Sequence, residues 1–526
     1  MSDIFSGDNL NAEAAGSISL FEMLVQAKAA FGADFEIIED RDYGVLSYAA
    51  LIRAALAFAH HLSGQTDRGE RVGVFLPTSV PPVIVFFALH AIGRVPVMFN
   101  YAHGRYTLSH SAKLAGVNRI LSSKTFIKKG GFEDVEDSLS EIAKIDHLED
   151  MKRELSVFDK IKGAAGEKLP ILTPEPPKPH DEAVIVFTSG TTGEPKGIAL
   201  SHGNLISNIE QIRQHVDMDR HWVFFNPLPI FHCFGLTGGT LLPILSGLRT
   251  VFHPTPLEKG DIVSRIQSSA ANTLIATDSF ARLYARSEQN GELEHLKYIV
   301  LGGEKVEAPT RKLMAKKSSA EIVEGYGLSE TSPVAALNKL DDNREESVGL
   351  LLPGMEATLE NVEGIEAGKQ LLLRGPNVML GYINPDSGEI ERRDENEWFE
   401  TGDLAELDDD GYLKITGRIK RFAKIGGEMI SLDIIEQSAH SLWEDASHAA
   451  MSVSNGEGES IALITDQQDA GQDQFSKYVK DNDLDRKTIP KHFVIVDDLP
   501  LLPMGTPDYQ KIRDIVRDEL DAEPKT

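Results

Sequence analysis

Thr188-Ser189-Gly190-Thr191-Thr192-Gly193-Glu194-Pro195-Lys196-Gly197 follows directly on the apolar run Asp181 to Phe187. The run reads as a buried strand, and the decapeptide as the loop it feeds. Hydroxyl side chains and glycines give this loop closely spaced donors. Glycine lets backbone N–H groups approach an anion with no Cβ in the way. Lys196 adds a point charge, so the loop is suited to holding phosphate. It is not a Walker A loop, which needs Gly-Lys-Ser/Thr where this chain has Pro195-Lys196-Gly197. A Gly/Thr-rich stretch alone would pass for a flexible surface hairpin, and the neighbouring motifs decide against that.

Upstream, Ser19 to Ala29 and Tyr48 to Leu62 carry apolar residues at helical spacing. Arg71 to Leu76 reads as a strand, Val80 to Ile92 as a helix and Val95 to Phe99 as a strand. This alternation predicts a parallel sheet covered by helices. The apolar stretch Val80 to Phe99 is interrupted by Pro81, Pro82, His90, Arg94 and Pro96, which favours a buried core helix over a membrane span. Leu169 to His180 holds five prolines and reads as a connecting loop. Downstream, Asn272 to Ala276 and Tyr298 to Leu301 read as strands. After about Glu345, short alternating runs such as Ala357 to Glu360 and Gln370 to Arg374 predict a small antiparallel or barrel-like unit. A strand from Tyr412 to Ile415 leads into Gly417-Arg418, and the remainder has the size of a small α+β domain. The expected fold is therefore α/β. A large N-terminal domain spans 1–417, with layered α/β subdomains and the barrel-like unit at about 345–417. A small mobile α+β domain spans 418–526.

The chain has 526 residues, too many for one core, and 41% are hydrophobic, which excludes disorder throughout. Its net charge of −28 disfavours nucleic-acid binding. A single cysteine, Cys233, excludes an internal disulfide framework, and the first residues show no secretory leader. The expected setting is cytoplasmic, with contact at the inner face of a membrane left open.

Four further strings share the chain with the glycine-rich loop. They are Pro227-Leu-Pro-Ile-Phe-His232, Gly325-Tyr326-Gly327-Leu328-Ser329-Glu330-Thr331, Thr401-Gly402-Asp403 and Gly417-Arg418-Ile419-Lys420. In this order the set resembles the adenylate-forming, AMP-binding superfamily, which includes acyl-CoA synthetases, luciferases and nonribosomal peptide adenylation domains. The resemblance implies ATP-dependent conversion of a carboxylate to an acyl-adenylate and pyrophosphate, followed by attack of a thiol. It implies that Thr188, Ser189, Gly190, Thr191, Thr192, Gly193 and Lys196 hold the β- and γ-phosphates. Glu330 would ligate Mg²⁺, a hard ion suited to carboxylate oxygen. Ser329 would touch the α-phosphate, and Tyr326 and Gly327 would meet adenine in a pocket also lined by Gly302, Gly303 and Glu304. Asp403 and Arg418 would bind the ribose, and Lys420 would be the hinge.

The stretch Gly417 to Leu432, with Leu352-Pro-Gly-Met355, Gly375-Pro-Asn-Val-Met379 and Leu499-Pro-Leu-Leu502, is similar to the synthetase half of bacterial 2-acylglycerophosphoethanolamine acyltransferase/acyl-[acyl-carrier-protein] synthetases. This implies a long-chain fatty acid as substrate and acyl carrier protein as thiol acceptor, with CoA as the alternative acceptor and a non-catalytic nucleotide binder as the contrasting class. The acyltransferase half is not expected within 526 residues. His232, Phe234, Lys424, Gly426 and Gly427 are expected at the acyl and thiol pocket. An acidic enzyme must meet an acidic carrier protein through a local basic patch. Arg418, Lys420, Arg421 and Lys424 form one candidate, and Arg311, Lys312, Lys316 and Lys317 another. His232 beside Cys233 suggests a Cys–His nucleophile, but adjacent residues point apart in regular structure. His492 and Asp497 match an acyltransferase spacing that is read as chance.

One position departs from the family. In Pro500-Leu-Leu-Pro-Met-Gly505-Thr506, Thr506 stands where the family has a Lys that bridges the α-phosphate and the substrate carboxylate. A neutral Thr cannot stabilise that charge as a cation does, so adenylation is expected to be slow. Lys511 lies beyond Pro507 on an expected terminal helix and is poorly placed to replace the missing cation.

Overall fold

The computed structural model describes residues 18–168, 177–189, 195–365, 368–425, 428–444, 446–454, 459–502 and 505–522. Two large sheets carry the N-terminal part, as the strand–helix alternation predicts. One has nine strands, in the spatial order 350–351, 334–337, 321–327, 298–301, 273–276, 223–226, 249–252, 36–40 and 44–47. Its inner neighbours, from Glu321–Gly327 to Glu36–Asp40, run parallel, and the strands at both edges turn antiparallel. The other has eight strands, in the order 390–392, 381–383, 195–201, 182–189, 95–98, 71–74, 119–122 and 144–147.

The reason is visible in the side chains. Val95–Met98 and Thr273–Ala276 are buried at every position, as parallel strands covered on both faces must be. The helix Val80–Ala91 opens with prolines in its first turn, where a missing N–H costs nothing, and buries ten of its residues. It is twelve residues long, and no helix among the described residues is long and apolar enough to cross a membrane. Ser19 caps the helix Leu20–Phe31 through a capping box with Glu22. Tyr48, Phe87, Phe225 and Leu24 are fully enclosed in the core shared by both sheets.

The stretch after Glu345 contributes an antiparallel four-stranded sheet, Glu356–Glu360, Lys369–Arg374, Phe399–Leu407 and Leu413–Arg418. It also lends Leu350–Leu351 to the nine-stranded sheet and Gly381–Ile383 and Ile390–Arg392 to the eight-stranded one. The small unit is thus woven into both sheets. Beyond Arg418 come the hairpin Phe422–Ile425/Glu428–Ser431 and a three-stranded sheet of His448–Ser454, Glu459–Thr465 and His492–Ile495. Helices Leu432–Leu442 and Tyr509–Ala522 cover them around separate small cores.

Two local readings change. The strand before the glycine-rich loop does not stop at Phe187. It runs to Ser189 and pairs with Pro195–Ser201, placing Thr188 opposite Lys196. Thr188, Ser189, Pro195, Lys196 and Gly197 are therefore strand residues of a hairpin. Likewise Gly417 and Arg418 lie inside a strand, and the chain turns only after Arg418, where Arg421 N–H bonds the Arg418 carbonyl at 2.9 Å.

Candidate active site

In an open parallel sheet the carboxyl ends of the strands form the natural crevice. Here that edge carries Asn226-Pro227, Ala276-Thr277, Leu301-Gly302 and Gly325-Tyr326-Gly327. Three groups of residues gather beside it.

The first group surrounds Asp403. The four-stranded sheet sets Asp403 directly opposite Arg418. The Arg418 Nε lies 2.9 Å from Asp403 Oδ1, and the Tyr326 hydroxyl donates to Oδ2 at 2.6 Å. Asp403 is 2% exposed, whereas 62% of the Arg418 side chain remains accessible. A positive φ at Gly402 turns the strand, and the Asp403 N–H bonds the Thr401 hydroxyl at 3.0 Å. Burial raises the Tyr326 phenol well above its ordinary value, and the Asp403 charge adds to this. Asp403 in turn raises the Arg418 guanidinium. The two motifs expected at adenine and ribose are thus joined by one carboxylate.

The second group surrounds Glu330, on the short 3-10 turn Ser329–Thr331. Its Oε1 accepts from the Tyr382 hydroxyl at 2.8 Å, and its carbonyl accepts from Met379 N–H at 2.8 Å. Lys196 Nζ sits 4.9 Å from the Tyr382 ring centroid, within cation–π range. The pairing of Gly381–Ile383 with Pro195–Ser201 brings Tyr382 there, through the register Tyr382↔Ile198. Burial raises the Tyr382 phenol, and Glu330 adds to the shift. Lys196, the cation of the glycine-rich stretch, and Glu330, the carboxylate expected to hold the metal, thus both meet Tyr382. Gly190, Thr191, Thr192 and Gly193 lie outside the described residues, as do Gly426 and Gly427.

The third group forms a floor. Gly303 adopts φ +81°, and a Cβ on Gly302 would stand 3.4 Å from the Phe234 ring. Glu304 accepts from Ser279 N–H at 2.8 Å and from the Ser279 hydroxyl at 3.0 Å. Burial pushes its carboxyl up to about 7, against those hydrogen bonds and with help from Asp278. Burial holds the His232 imidazole down at about 4 and lifts the Cys233 thiol to about 12. The Cys233 sulfur meets only the Ser329 carbonyl, at 3.8 Å, among the hydrogen bonds described for it. A protonated, enclosed thiol is a packing group and not a nucleophile.

Behind Phe234 lies a small apolar cavity of about 50 Å³. Phe234, Gly238, Ile275, Val300, Trp222 and Tyr298 are among the residues that line it.

Thr506 comes to this same floor. Gly505 has φ +89°, and a Cβ there would meet Ser279 Cβ at 3.1 Å and Thr277 Oγ1 at 3.2 Å. The turn is closed by Gly505 N–H on the Leu502 carbonyl at 2.8 Å and Leu502 N–H on the Thr506 carbonyl at 2.7 Å. Thr506 thus stands one residue from the helix Asp278–Ser287 whose Ser279 holds Glu304. Lys511 is 71% exposed and pairs with Asp508 at 3.5 Å, so it is spent elsewhere.

Several expected groups have other work. Arg421 bonds Asp433 at 3.0 Å, Glu436 at 2.6 Å and the Ala450 carbonyl at 2.9 Å, and lies 4.4 Å from the Tyr509 ring centroid. Arg311 pairs with Glu324, Lys317 with Glu288 at 2.9 Å, and Lys312 with Glu444 at 3.9 Å. Lys420 and Lys424 are exposed, and the Lys424 N–H donates to Glu459 at 2.8 Å. The expected basic patches are therefore partly consumed by internal pairing. His492 meets the Ser460 hydroxyl at 3.3 Å.

Sequence reasoning missed Tyr382. Tyr382 follows the Gly375 to Met379 stretch, but nothing in the spacing places it against Glu330, 52 positions away. Only the strand pairing does so.

Comparison with known proteins accords with this geometry. Residues 25–383 match the family model described as AMP-binding enzyme. The chain is 27% identical to the mitochondrial medium-chain acyl-CoA ligase ACSF2 of Bos taurus, covering 86% of this chain and 80% of that protein. It is 26% identical to a long-chain-fatty-acid–CoA ligase of Escherichia coli O157:H7, covering 96% and 95%. Among solved structures, ATP-bound MatB from Rhodopseudomonas palustris superposes with TM-score 0.78 at 25% identity, over 95% of this chain and all of the other. The o-succinylbenzoate CoA synthetase MenE of Bacillus subtilis, in complex with ATP and magnesium, has the same fold at 20% identity, TM-score 0.78, covering 94% and 99%. The curated relatives are CoA ligases and give no specific support to an acyl-carrier-protein synthetase. The chain belongs to the AMP-binding enzyme family, with the adenylate-forming fold of an ATP-dependent acid–thiol ligase.

Proposed function

We propose that the protein activates a medium- to long-chain fatty acid with ATP and transfers the acyl group to a phosphopantetheine thiol, that of CoA in the first instance. The apolar cavity behind Phe234 carries this reading, because a wholly apolar chamber next to Gly302 suits an alkyl tail and no polar acid. In the proposed arrangement Asp403 accepts from the ribose hydroxyls and Arg418 stays beside it. Tyr326 covers the base, held by its bond to Asp403. Lys196 and the loop 188–193 hold the distal phosphates. The chemistry of the donor set fits Mg²⁺, since Glu330 offers a half-buried carboxylate oriented by Tyr382, and the ion would neutralise phosphate charge. The C-terminal unit beginning at 418 would turn about Lys420 between the two half-reactions.

Thr506 sets the balance between those half-reactions. It offers a hydroxyl where the family's cation would meet the reacting carboxylate and α-phosphate. Losing one such preorganised charge costs about 3 kcal/mol, or roughly a hundredfold in rate. Adenylation is therefore the slow step, and thiol attack on the adenylate is spared. CoA is preferred over carrier protein as acceptor because the curated relatives are CoA ligases and because Arg311, Lys317 and Arg421 are bound to internal carboxylates.

The test supplies dodecanoyl-adenylate directly and follows thioester formation with CoA and with holo-acyl carrier protein. Rapid thioester with CoA, about tenfold or more above carrier protein, supports the reading. Preference for carrier protein overturns the choice of acceptor, and no thioester with either overturns the ligase assignment for this chain.

A further inference from the structure

The strand Arg249–Phe252 runs straight into His253, and a short loop leads on to the helix Lys259–Ser268. Glu258 is the N-cap of that helix, yet its side chain makes no cap hydrogen bond. It lies instead beside His253, with Oε2 3.8 Å from Nε2. Asp261, in the first helical turn, brings Oδ2 to 3.0 Å from the same nitrogen. The three ligand atoms all lie within 4.8 Å of one another. The His253 side chain is 4% exposed, against 58% for Glu258 and 39% for Asp261, so a buried imidazole forms the base and the carboxylates reach the surface.

The other ring nitrogen fixes the tautomer. Nδ1 stands 2.7 Å from the Thr255 carbonyl, which can only accept, so Nδ1 carries the proton. The Thr255 N–H lies 3.4 Å from Nδ1, too far to compete. Nε2 therefore turns its lone pair towards two carboxylate oxygens, and these three acceptors must share a proton or a cation. A bond from the second ring nitrogen to a carbonyl is also the support that a metal-ligating imidazole uses. Bonds of ~2.0–2.2 Å to a tetrahedral ion put neighbouring ligand atoms roughly 3.4 Å apart. The separations at Nε2, 3.0 and 3.8 Å, fall on either side of that value. One imidazole and two carboxylates suit zinc and its first-row neighbours, whereas Mg²⁺ and Ca²⁺ favour oxygen alone.

We propose that His253, Glu258 and Asp261 form a second metal site, for a divalent transition ion such as zinc, with water completing its shell. It is separate from the Mg²⁺ ascribed to Glu330. Arg249–Phe252 stands four places along the nine-stranded sheet from Glu321–Gly327, about 19 Å at ~4.8 Å per strand. The Arg41 guanidinium also reaches Asp261, at 3.2 Å, and its charge opposes the ion. The Arg41 side chain is 69% exposed and free to swing into solvent. The loop closed by the ion includes Pro256, whose carbonyl accepts from the Tyr284 hydroxyl at 2.9 Å. Tyr284 belongs to the helix Asp278–Ser287, on which the Gly505 turn rests, so an ion here braces the loop against that helix.

The test titrates zinc calorimetrically into the chelator-treated full chain without nucleotide. Saturable binding with a raised thermal midpoint is the expected result. Glu258→Gln, a change at an exposed side chain, should weaken zinc about tenfold or more, as should Asp261→Asn. Arg41→Gln should tighten it, because the competing charge is gone. Glu330→Gln should leave it unchanged. No saturable zinc, equal affinity in wild type and Glu258→Gln, or no tightening with Arg41→Gln overturns the site and leaves His253 as a protonated partner of the two carboxylates. Zinc that is lost with Glu330→Gln and kept with Glu258→Gln belongs to the reaction site and overturns the proposal equally.

Discussion

In the proposed reading a single side chain, Thr506, sets a rate. Its turn is seated on Ser279 and Thr277 through Gly505. Thr506→Lys should therefore accelerate pyrophosphate release about a hundredfold, read by stopped flow, while thiolysis of supplied adenylate changes little. Glu304 offers a pH signature at the same scale. Its carboxyl is lifted from 4.5 to about 7 by burial. Between those values the folded protein holds a proton that the unfolded chain has released, so stability falls as pH rises through that window and stays lowered above it. The cost above neutrality is on the order of 3 kcal/mol. Glu304→Gln should flatten that fall, seen as a smaller difference between thermal midpoints at about pH 5 and about pH 8 than in the wild type.

Elements explain which residues could be read in advance. Thr273–Ala276 was legible as a strand buried on both faces, and Tyr298–Leu301 as an apolar run, although Tyr298 and Val300 are only half-buried. Helix Val80–Ala91 was legible because its prolines sit where a first turn tolerates them. The family strings named Asp403, Tyr326 and Glu330, but not the bonds each of them makes. Those follow from register, Asp403 opposite Arg418 and Tyr382 opposite Ile198, which no local pattern encodes. The extension of Glu182–Ser189 through Thr188 was hidden for the same reason, since pairing with Pro195–Ser201 outweighs the turn preference of Thr and Ser. The Gly505 turn gives a prediction at this scale. A β-branched residue is strained at φ +89° and would press on Ser279. Gly505→Val in the Thr506→Lys background should lose about tenfold or more of the regained adenylation rate, with thiolysis unaffected, because a displacement near 1 Å can cost that much.

Across the whole molecule, charge and seating work together. A chain at −28 has drawn many of its cations inward, as the Arg421 bonds to Asp433 and Glu436 illustrate. The segment carrying Thr506 rests on the helix Asp278–Ser287, and Lys312 meets Glu444 at 3.9 Å, so the part beyond Arg418 packs over the carboxyl edge of the nine-stranded sheet. The central claim is that this edge grips a nucleotide through Asp403. Calorimetric titration of ATP with magnesium into the wild-type chain and into Asp403→Ala tests it most directly. Saturable heat in the wild type, weakened about tenfold or more in the variant, is the expected result. No heat with the wild-type chain, or equal affinity in both, would contradict it.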